Sequence, residues 1–252
     1  MARAAVRGRL SWLVAEVVDL VDETPRVRTI VFDVPGWAGH RPGQHVDIRL
    51  TAEDGYQAQR SYSISAPENG NRVEITVELI DEGEVSPFLV EDLMAGDRIE
   101  LRGPIGDYFV WEPGSGRPTQ LIAGGSGVAP LRAMIRAAAA TPGAEAVRLL
   151  YSARTEEDIV FRQELDALAA QDSRIQVTYT LTRGHGPDWN GLSGRVDRAM
   201  LSEHVWPADA GPVCYVCGPT GFVETVASGL VELGHRPDRV RTERFGPMGG
   251  VP

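Results

Sequence analysis

The pattern of apolar residues changes character once along this chain, at a short segment that contains no apolar side chain. From Pro113 to Pro118 the residues read Pro-Gly-Ser-Gly-Arg-Pro, a composition typical of a linker between domains. The chain has 252 residues, which exceeds the common single-domain size of about 100 to 200 residues. We therefore predict two domains, residues 1–114 and residues 115–252.

The first half is rich in short runs of β-branched residues separated by turn residues. Such runs predict strands, here at residues 27–32, 45–50, 60–65, 73–79 and 98–101. A single short helix is predicted at residues 86–93, with Ser86 as its N-cap. The pattern indicates an antiparallel barrel or sandwich.

In the second half, apolar strand patterns alternate with helical ones. The predicted strands are residues 119–123, 147–152, 175–181, 213–217 and 239–242, and the predicted helices are residues 131–140, 158–170 and 222–233. This alternation predicts a parallel sheet with helices on its faces.

A glycine turn joins the first strand of this half to its first helix. The residues Gly124-Gly125-Ser126-Gly127 follow an apolar run, and Pro130 suits the first turn of the helix. Free amides at a helix start favour an anion such as a pyrophosphate. The spacing is not that of the G-x-G-x-x-G dinucleotide motif, and a purely structural turn has the same appearance, so other motifs must decide.

The chain contains two cysteines, Cys214 and Cys217, in a C-x-x-C arrangement. A second pair to complete a zinc site is absent, and strand alternation places the two side chains in different surroundings, so we predict neither a metal site nor a redox disulfide. Cys217-Gly218-Pro219 follows a strand and precedes a helix. It therefore belongs at the carboxyl edge of the sheet, where such folds bind ligands.

Three motifs in this order, Arg60-Ser61-Tyr62-Ser63, the glycine turn ending at Pro130, and Cys217-Gly218-Pro219, resemble the ferredoxin–NADP reductase superfamily. The resemblance spans nearly the whole chain and is to the oxygenase-reductase type without an iron–sulfur domain. It implies an antiparallel Greek-key β-barrel that binds FAD, followed by a Rossmann-like parallel α/β domain that binds NAD(P).

The resemblance also implies how the first domain holds FAD. Arg60 would clamp the pyrophosphate, Tyr62 would pack on the isoalloxazine, and Ser63 would hydrogen-bond near flavin N5. A Gly-x-x-Ser turn, Gly83-Glu84-Val85-Ser86, would present backbone amides and Ser86 to the diphosphate. The implied FAD-binding residues are Arg60, Ser61, Tyr62, Ser63, Val77, Gly83, Glu84, Val85, Ser86 and Phe245.

Three residues are implied at the reacting centre: Ser63, Cys217 beside the nicotinamide, and Glu243 near the hydride path. Glu243-Arg244-Phe245 resembles the family's Glu-x-aromatic terminus, in which the aromatic ring covers the flavin. Here the aromatic residue is Phe rather than Tyr, and residues 246–252 follow it. Two outcomes remain open: Phe245 shields the flavin in part, or it leaves the site.

The implied nucleotide-binding residues are Gly125, Ser126, Gly127, Pro130, Ser152, Arg154, Arg183, Cys217, Gly218 and Pro219. Arg154 and Arg183 follow the second and third strands of the α/β half, the place at which a 2′-phosphate would be recognised. Acidic residues at positions 156–158 offer the opposite reading, a carboxylate that holds a ribose hydroxyl. The sequence predicts NADPH or NADH as the nucleotide, and the two arginines favour NADPH.

Composition excludes some partners. The net charge of −10 argues against nucleic-acid binding, which requires a basic face. No apolar run approaches the roughly 20 residues that span a bilayer, and the stretch from Trp12 to Val21 contains Glu16 and Asp19, unlike a signal peptide. We expect a cytoplasmic monomer without membrane insertion.

No local motif in the sequence identifies the electron acceptor. The chain has no cysteine cluster for an iron–sulfur centre, so the resemblance implies a separate small redox protein, a ferredoxin or an oxygenase component. The alternatives are a diaphorase that reduces free flavin or quinone, an electron-transfer subunit of a larger complex, and a nucleotide-binding module without flavin.

Overall fold

The computed structural model describes residues 10–245, in which two six-stranded sheets follow one another along the chain. The first sheet contains β1 (Leu13–Thr24), β2 (Val27–Asp33), β3 (His45–Thr51), β4 (Gln57–Ser63), β5 (Arg72–Glu78) and β6 (Arg98–Ile105). Its strands are antiparallel, in the order β4-β3-β6-β1-β2-β5. An antiparallel bridge between Ile64 and Ile75 brings the two edges of the sheet together. The predicted antiparallel barrel is confirmed.

Strand β5 shows why this sheet encloses a core. Val73, Ile75 and Val77 point inward and are fully buried, while Glu74 and Glu78 alternate with them on the outer face. Burying an aliphatic side chain of this size stabilises the fold by about 1.5–3 kcal/mol. The same alternation on β2 and β3 buries Ile30, Phe32, Val46 and Ile48.

Two features of the first domain differ from the sequence prediction. The twelve-residue strand β1 was not predicted, because its charged outward positions dilute the apolar pattern, although Ala15 and Val17 are buried. The helix predicted at residues 86–93 is present at residues 86–92, and its π-helical part is Phe88–Asp92. Ser86 does not cap it: the hydroxyl accepts a hydrogen bond from the amide of Ile80 at 3.1 Å, so the N-cap prediction is wrong.

The second sheet contains β7 (Thr119–Gly124), β8 (Val147–Ala153), β9 (Ile175–Leu181), β10 (Leu192–Ser193), β11 (Val213–Pro219) and β12 (Val240–Phe245). Its helices are α1 (Val128–Ala140), α2 (Arg162–Gln171), α3 (Arg198–His204) and α4 (Thr220–Glu232). All strands are parallel, in the order β10-β9-β8-β7-β11-β12, which confirms the Rossmann-like prediction. The strand order reverses between β7 and β11, and ligands bind at such a point in open α/β sheets.

Apolar cores lie on both faces of this sheet. One contains Leu121, Leu131 and Tyr151, and the other contains Ile122, Leu150 and Val216. The predicted helix at 158–170 begins only at Arg162, because Phe161 has a left-handed backbone conformation with φ 63°. The short elements β10 and α3 were not predicted from the sequence.

Residues 106–118 connect the two sheets, and the boundary predicted between residues 114 and 115 lies within this segment. Phe109 and Trp111 pack into the core of the second domain. Within residues 10–245, none of the helices combines the length and the apolarity that crossing a membrane requires. The same residues contain no group of three or more His, Cys, Asp or Glu side chains placed to hold a metal ion.

Candidate active site between the two domains

The glycine turn lies at the carboxyl end of β7 and leads directly into α1. Gly125 adopts φ 57°, a conformation that side chains disfavour. A Cβ on Gly127 would lie 2.4 Å from the carbonyl oxygen of Cys217, so only glycine permits this approach to β11. In the described chain no side chain caps the start of α1, and Pro130 lies in its first turn. No side chain within residues 10–245 therefore competes with an anion at this helix start.

Cys217, Gly218 and Pro219 end the strand next to β7, with Cys217 paired to Ala123. The two motifs therefore meet at the reversal in strand order, at the carboxyl edge where Cys217-Gly218-Pro219 was predicted to lie. The thiol of Cys217 is buried, and burial and then the nearby Glu243 raise its pKa well above its usual value. Cys214 lies on the other face of the sheet, where burial raises its pKa to about 12. Both thiols are protonated at neutral pH, and neither is an activated nucleophile.

An open cleft runs between the domains beside these motifs. From the first domain it is lined by Thr24, Arg26, Val27 and Glu78, and from the second by Gly125, Ser126, Ser152, Arg154, Pro219, Phe222 and Phe245, among others. Ser126 donates its hydroxyl hydrogen to Glu78 Oε2 at 2.6 Å, which joins the glycine turn to β5. Both domains thus contribute to one site.

The end of β4 meets the end of β12 at a contact between residues 180 positions apart. Ser63 donates a hydrogen bond to Glu243 Oε1 at 3.2 Å. The other oxygen, Oε2, is buried and has no hydrogen-bond partner within the described residues. Burial raises the pKa of Glu243 to about 7, and the Ser63 hydrogen bond offsets part of this effect. The site therefore contains a carboxyl group that changes its protonation state near neutral pH.

Arg60 meets the predicted diphosphate turn, residues 83–86, at an exposed position. Its guanidinium donates to the carboxylate of Glu84, which also accepts from the hydroxyl of Tyr56. These hydrogen bonds, first from Tyr56 and then from Arg60, lower the pKa of Glu84. The structure thus brings together residues of two predicted FAD-binding motifs, Arg60 and Glu84, that are 24 positions apart.

Four of the predicted FAD-binding side chains point elsewhere. Ser61 donates to Asp47 Oδ1 at 2.7 Å, on the face of β4 opposite to Arg60 and Tyr62. Val77 and Val85 are fully buried in the barrel core. Ser86 is engaged with the main chain of Ile80. These four positions can therefore bind a cofactor through their main-chain groups. Tyr62 is half-buried near the carboxyl end of β4, and burial raises the pKa of its hydroxyl.

The two predicted phosphate-binding arginines lie at neighbouring strand ends, where the amide of Arg183 donates to the carbonyl of Arg154 at 2.9 Å. Their side chains are exposed, and within residues 10–245 they form no hydrogen bond or ion pair. The acidic residues nearby are engaged: Asp158 accepts from the amide and hydroxyl of Thr155, and Glu156 pairs with Arg162 at 2.8 Å. Glu157 has a lowered pKa through hydrogen bonds with main-chain groups and Thr155.

Phe245 pairs with Pro219 across the β11–β12 ladder, lines the cleft and packs against the core of the second domain. The residues that follow it, 246–252, lie outside the described residues. Sequence reasoning missed Tyr56, Glu78 and Phe222. The position of Phe222 one helical turn after Pro219 could have identified it from the sequence. In the structure its ring fills the space beside Gly124 and Gly218. Glu78 is on the outer face of β5, so strand alternation in the sequence is enough to predict that its carboxylate can contact groups outside the barrel core.

Two family models match the chain. The oxidoreductase FAD-binding domain matches residues 15–110, and the oxidoreductase NAD-binding domain matches residues 121–228. The first therefore covers the barrel, and the second covers most of the α/β domain.

Several known proteins are similar over most of the chain. A ferredoxin–NADP reductase B of Sorangium cellulosum is 37% identical over 211 residues, which are 81% of this chain and 84% of that protein. A glycine betaine monooxygenase reductase subunit of Chromohalobacter salexigens is 32% identical over 91% of this chain, which spans 63% of that subunit. The FAD/NAD-binding domain of nitric oxide dioxygenase from Vibrio cholerae superposes with a TM-score of 0.83 at 29% identity, covering 93% of this chain and 99% of that domain.

Proposed function

The chain belongs to the ferredoxin–NADP reductase superfamily of FAD-dependent NAD(P)H oxidoreductases, and from that premise we propose that it passes electrons from NADPH through FAD to a separate redox protein. The observation that carries this proposal is the contact between Ser63 and Glu243 beside the strand-order reversal. It places a barrel residue of the flavin motif against the last strand of the nucleotide domain.

The residues of the site fit an FAD group. The buried Oε2 of Glu243 has no partner among the described residues, and the Arg60 guanidinium is exposed next to the turn at residues 83–86. When bound, FAD accepts a hydride from the reduced nicotinamide and releases the electrons to an acceptor. Arg60 holds the diphosphate, since its planar fork matches phosphate oxygens. Tyr62 packs against the ring system.

Ser63 and Glu243 act at the reacting centre as a hydrogen-bonded pair. The Ser63 hydroxyl, oriented by the Glu243 carboxylate, would present a polar group to the bound flavin ring. Because the Glu243 carboxyl has a pKa of about 7, it holds or releases a proton there near neutral pH. Cys217 positions the nicotinamide as a neutral thiol, which its strongly raised pKa supports.

We assign the nucleotide as NADPH. The exposed guanidinium groups of Arg154 and Arg183 have no described partner, whereas Glu156 and Asp158 are already engaged by neighbouring side chains. An engaged carboxylate is less able to accept hydrogen bonds from a ribose diol. Two free cations are suited to a 2′-phosphate. This arrangement supports NADPH, the nucleotide that the two arginines already favour in the sequence.

The acceptor we propose is a ferredoxin or the oxygenase component of a multi-protein system. One relative is named as a monooxygenase reductase subunit and another as a ferredoxin reductase, which supports an acceptor of this kind. The two cysteines lie on opposite faces of β11 and do not form a ligand set for an iron–sulfur centre. The electrons therefore leave from flavin rather than from a cluster held by residues 10–245.

The test is an anaerobic titration of the FAD-loaded protein with NADPH and with NADH, followed by visible absorption. We expect the oxidised-flavin bands to bleach, and to bleach faster with NADPH. A flavin that neither nucleotide reduces would contradict the proposal. Turnover with a ferredoxin panel, compared with free flavin and quinone, then separates a protein-linked reductase from a diaphorase.

An Arg60→Ala variant tests the flavin site itself. Hydrogen bonds to charged groups contribute about 1.5–3 kcal/mol, so the dissociation constant for FAD is expected to rise about 10- to 100-fold. Arg28→Ala is the matched control, because Arg28 also lies on a barrel strand and pairs with a carboxylate, that of Asp22 at 2.6 Å. Equal loss of FAD affinity in both variants would place the diphosphate elsewhere.

A further inference from the structure

The side chain of Arg132, near the start of α1 in the second domain, forms hydrogen bonds with residues of both domains. Its side chain is 10% exposed. One terminal nitrogen donates to the carbonyl of Ser65 at 3.2 Å and to Glu74 Oε2 at 3.0 Å, both in the barrel domain. The Nε atom donates to Glu164 Oε2 at 2.7 Å, in α2. The rigid fork of an arginine can make such contacts in several directions at once.

A second arginine repeats the connection one helical turn later. Arg136 lies 3.2 Å from Glu74 Oε2 and 3.4 Å from Glu164 Oε1. Residues four apart share a helix face, so both guanidinium groups face the same two carboxylates. Glu74 extends from the outer face of β5, so the cluster fastens α1 to the barrel wall.

The fold keeps a strained residue at this point. Phe161 is the non-glycine residue within 10–245 that has a positive φ, 63°, a conformation that bulky residues rarely adopt. Its ring lies 4.3 Å from the guanidinium carbon of Arg132. Strained residues persist where their surroundings determine the backbone, and such residues cluster at functional positions. Here the conformation holds an aromatic face against the guanidinium group.

The cluster is close in sequence to both halves of the reacting centre. Ser65 follows Ser63 by two residues, and Arg132 is in the helix whose first turn follows Gly125–Gly127. The Glu78–Ser126 hydrogen bond attaches the same glycine turn to the same face of β5. The helix that begins at the nucleotide site is thus attached to the barrel at two points along one strand.

We propose that Arg132 is a positioning residue for hydride transfer, which fixes the spacing between the nicotinamide and flavin sites by fastening α1 to the barrel. This inference rests on the proposed function. Reacting atoms must lie about 3–3.5 Å apart, and a displacement of about 1 Å costs about 100-fold in rate. Domain interfaces within a chain otherwise permit relative motion.

The experiment compares the FAD-loaded wild type with Arg132→Gln in anaerobic stopped-flow reduction by NADPH and by NADPH deuterated at the transferred position. We expect the limiting rate constant of flavin reduction to fall at least about tenfold. The dissociation constants for FAD and NADP⁺ are expected to change less than about threefold, because Arg132 touches neither site. Arg132→Lys is expected to recover part of the rate.

The matched control is Arg49→Gln. Arg49 also pairs with a glutamate, Glu100, and lies 4.2 Å from the centre of an aromatic ring, that of Trp12, but all three residues belong to the barrel side. Its removal is expected to leave the limiting rate within about twofold. Scanning calorimetry supplies a second readout: Arg132→Gln is expected to separate the unfolding of the two domains, and Arg49→Gln is not.

Each outcome decides the matter. An unchanged limiting rate in Arg132→Gln, or an equal fall in Arg49→Gln, would overturn the positioning role. If Arg132→Gln does not fold, Glu74→Gln removes the barrel side of the same contact and is expected to lower the rate in the same direction. If neither nucleotide reduces the wild-type flavin, the proposed function fails, whereas wild-type reduction with an unaffected Arg132→Gln defeats only this inference.

Discussion

Glu243 and the pair formed by Arg154 and Arg183 belong to one site, but their surroundings are opposite. One oxygen of Glu243 is enclosed between the domains and unpaired in the described chain, whereas the arginines are exposed at strand ends. Burial disfavours the charged form of a carboxyl group, while water stabilises an exposed guanidinium and also weakens its interactions. The enclosed group can therefore change charge near neutral pH, and the exposed groups can recognise a phosphate without changing charge.

The largest expected effect is on the pH dependence of stability. The pKa of Glu243 is about 7 in the folded protein and 4.5 is its ordinary value, a difference that corresponds to about 3 kcal/mol. Between these pH values the unfolded chain loses the proton and the folded protein keeps it. The free energy of unfolding therefore falls as pH rises from 4.5 to 7 and shows no further change from this group above that range.

Glu243→Gln removes this contribution. We expect the difference in unfolding free energy between wild type and variant, measured by urea titration at pH 5 and at pH 8, to change by about 3 kcal/mol in favour of the variant at high pH. Other titrating groups cancel in this difference. Glu91→Gln, which alters an exposed carboxylate of the barrel, serves as control. A constant difference across pH would mean that Glu243 is not shielded from water.

The next effect concerns the exposed arginines. Arg154→Gln and Arg183→Gln are each expected to raise the dissociation constant for NADP⁺ about 5- to 30-fold, the equivalent of about 1–2 kcal/mol for a solvent-exposed, charge-assisted contact. The constant for NAD⁺ is expected to stay the same, since it lacks the 2′-phosphate. Arg148→Gln, at the opposite end of β8 and bonded to Gln176 at 2.9 Å, is the matched control. Equal losses for both nucleotides would contradict 2′-phosphate recognition.

A smaller effect is expected at Ser63. Its hydrogen bond lowers the pKa of Glu243, so Ser63→Ala should raise that pKa above about 7. A hydrogen bond of about 1 kcal/mol corresponds to less than about one pH unit. The midpoint of the stability curve reports the change. Ser61→Ala, which loses a comparable hydrogen bond on the same face of β4 but to Asp47 rather than to Glu243, should leave the midpoint in place.

Added salt should produce the smallest effect. It distinguishes the exposed pair Arg154 and Arg183 from the buried Glu243 most directly, because salt screens exposed charges more than buried ones. Raising ionic strength from 0.01 M to 0.15 M shortens the Debye length from about 30 Å to about 8 Å. NADP⁺ binding to the exposed arginines is expected to weaken a few-fold in equilibrium titrations. The Glu243 midpoint is expected to move much less, because buried groups are screened less. A shift of both by similar amounts would remove the distinction between the two regions.

How much of this could be predicted differs between the domains. In the α/β domain, strands and helices have different periods, so their alternation predicted the parallel sheet, and the glycine turn predicted the start of α1. In the barrel, β1 escaped prediction because Glu16, Asp19 and Asp22 interrupt its pattern. Sheet order could not be predicted in either domain, since strand pairing joins segments far apart in sequence.

The same division applies to the site. Arg60, Tyr62 and Ser63 were predicted as site residues from the resemblance of their motif to the superfamily, and the glycine turn was predicted from its place between a strand and a helix. Glu78 and Tyr56 were missed, since their importance comes from what they contact across the fold. Ser61 is engaged by Asp47, and Val77 and Val85 are buried in the barrel core, because side-chain pairing and core packing, rather than the motif, set their directions.

The sequence by itself determined the two-domain architecture, the motifs at the strand ends and the superfamily, because these depend on periodicity, turn chemistry and spacing within short segments. The tertiary structure decided which distant groups meet: Ser63 with Glu243, Ser126 with Glu78, and Arg132 with Ser65, Glu74 and Glu164. It also decided the protonation of Glu243. Burial and charge pairing arise from the packing of one domain on the other, and no local pattern encodes that packing.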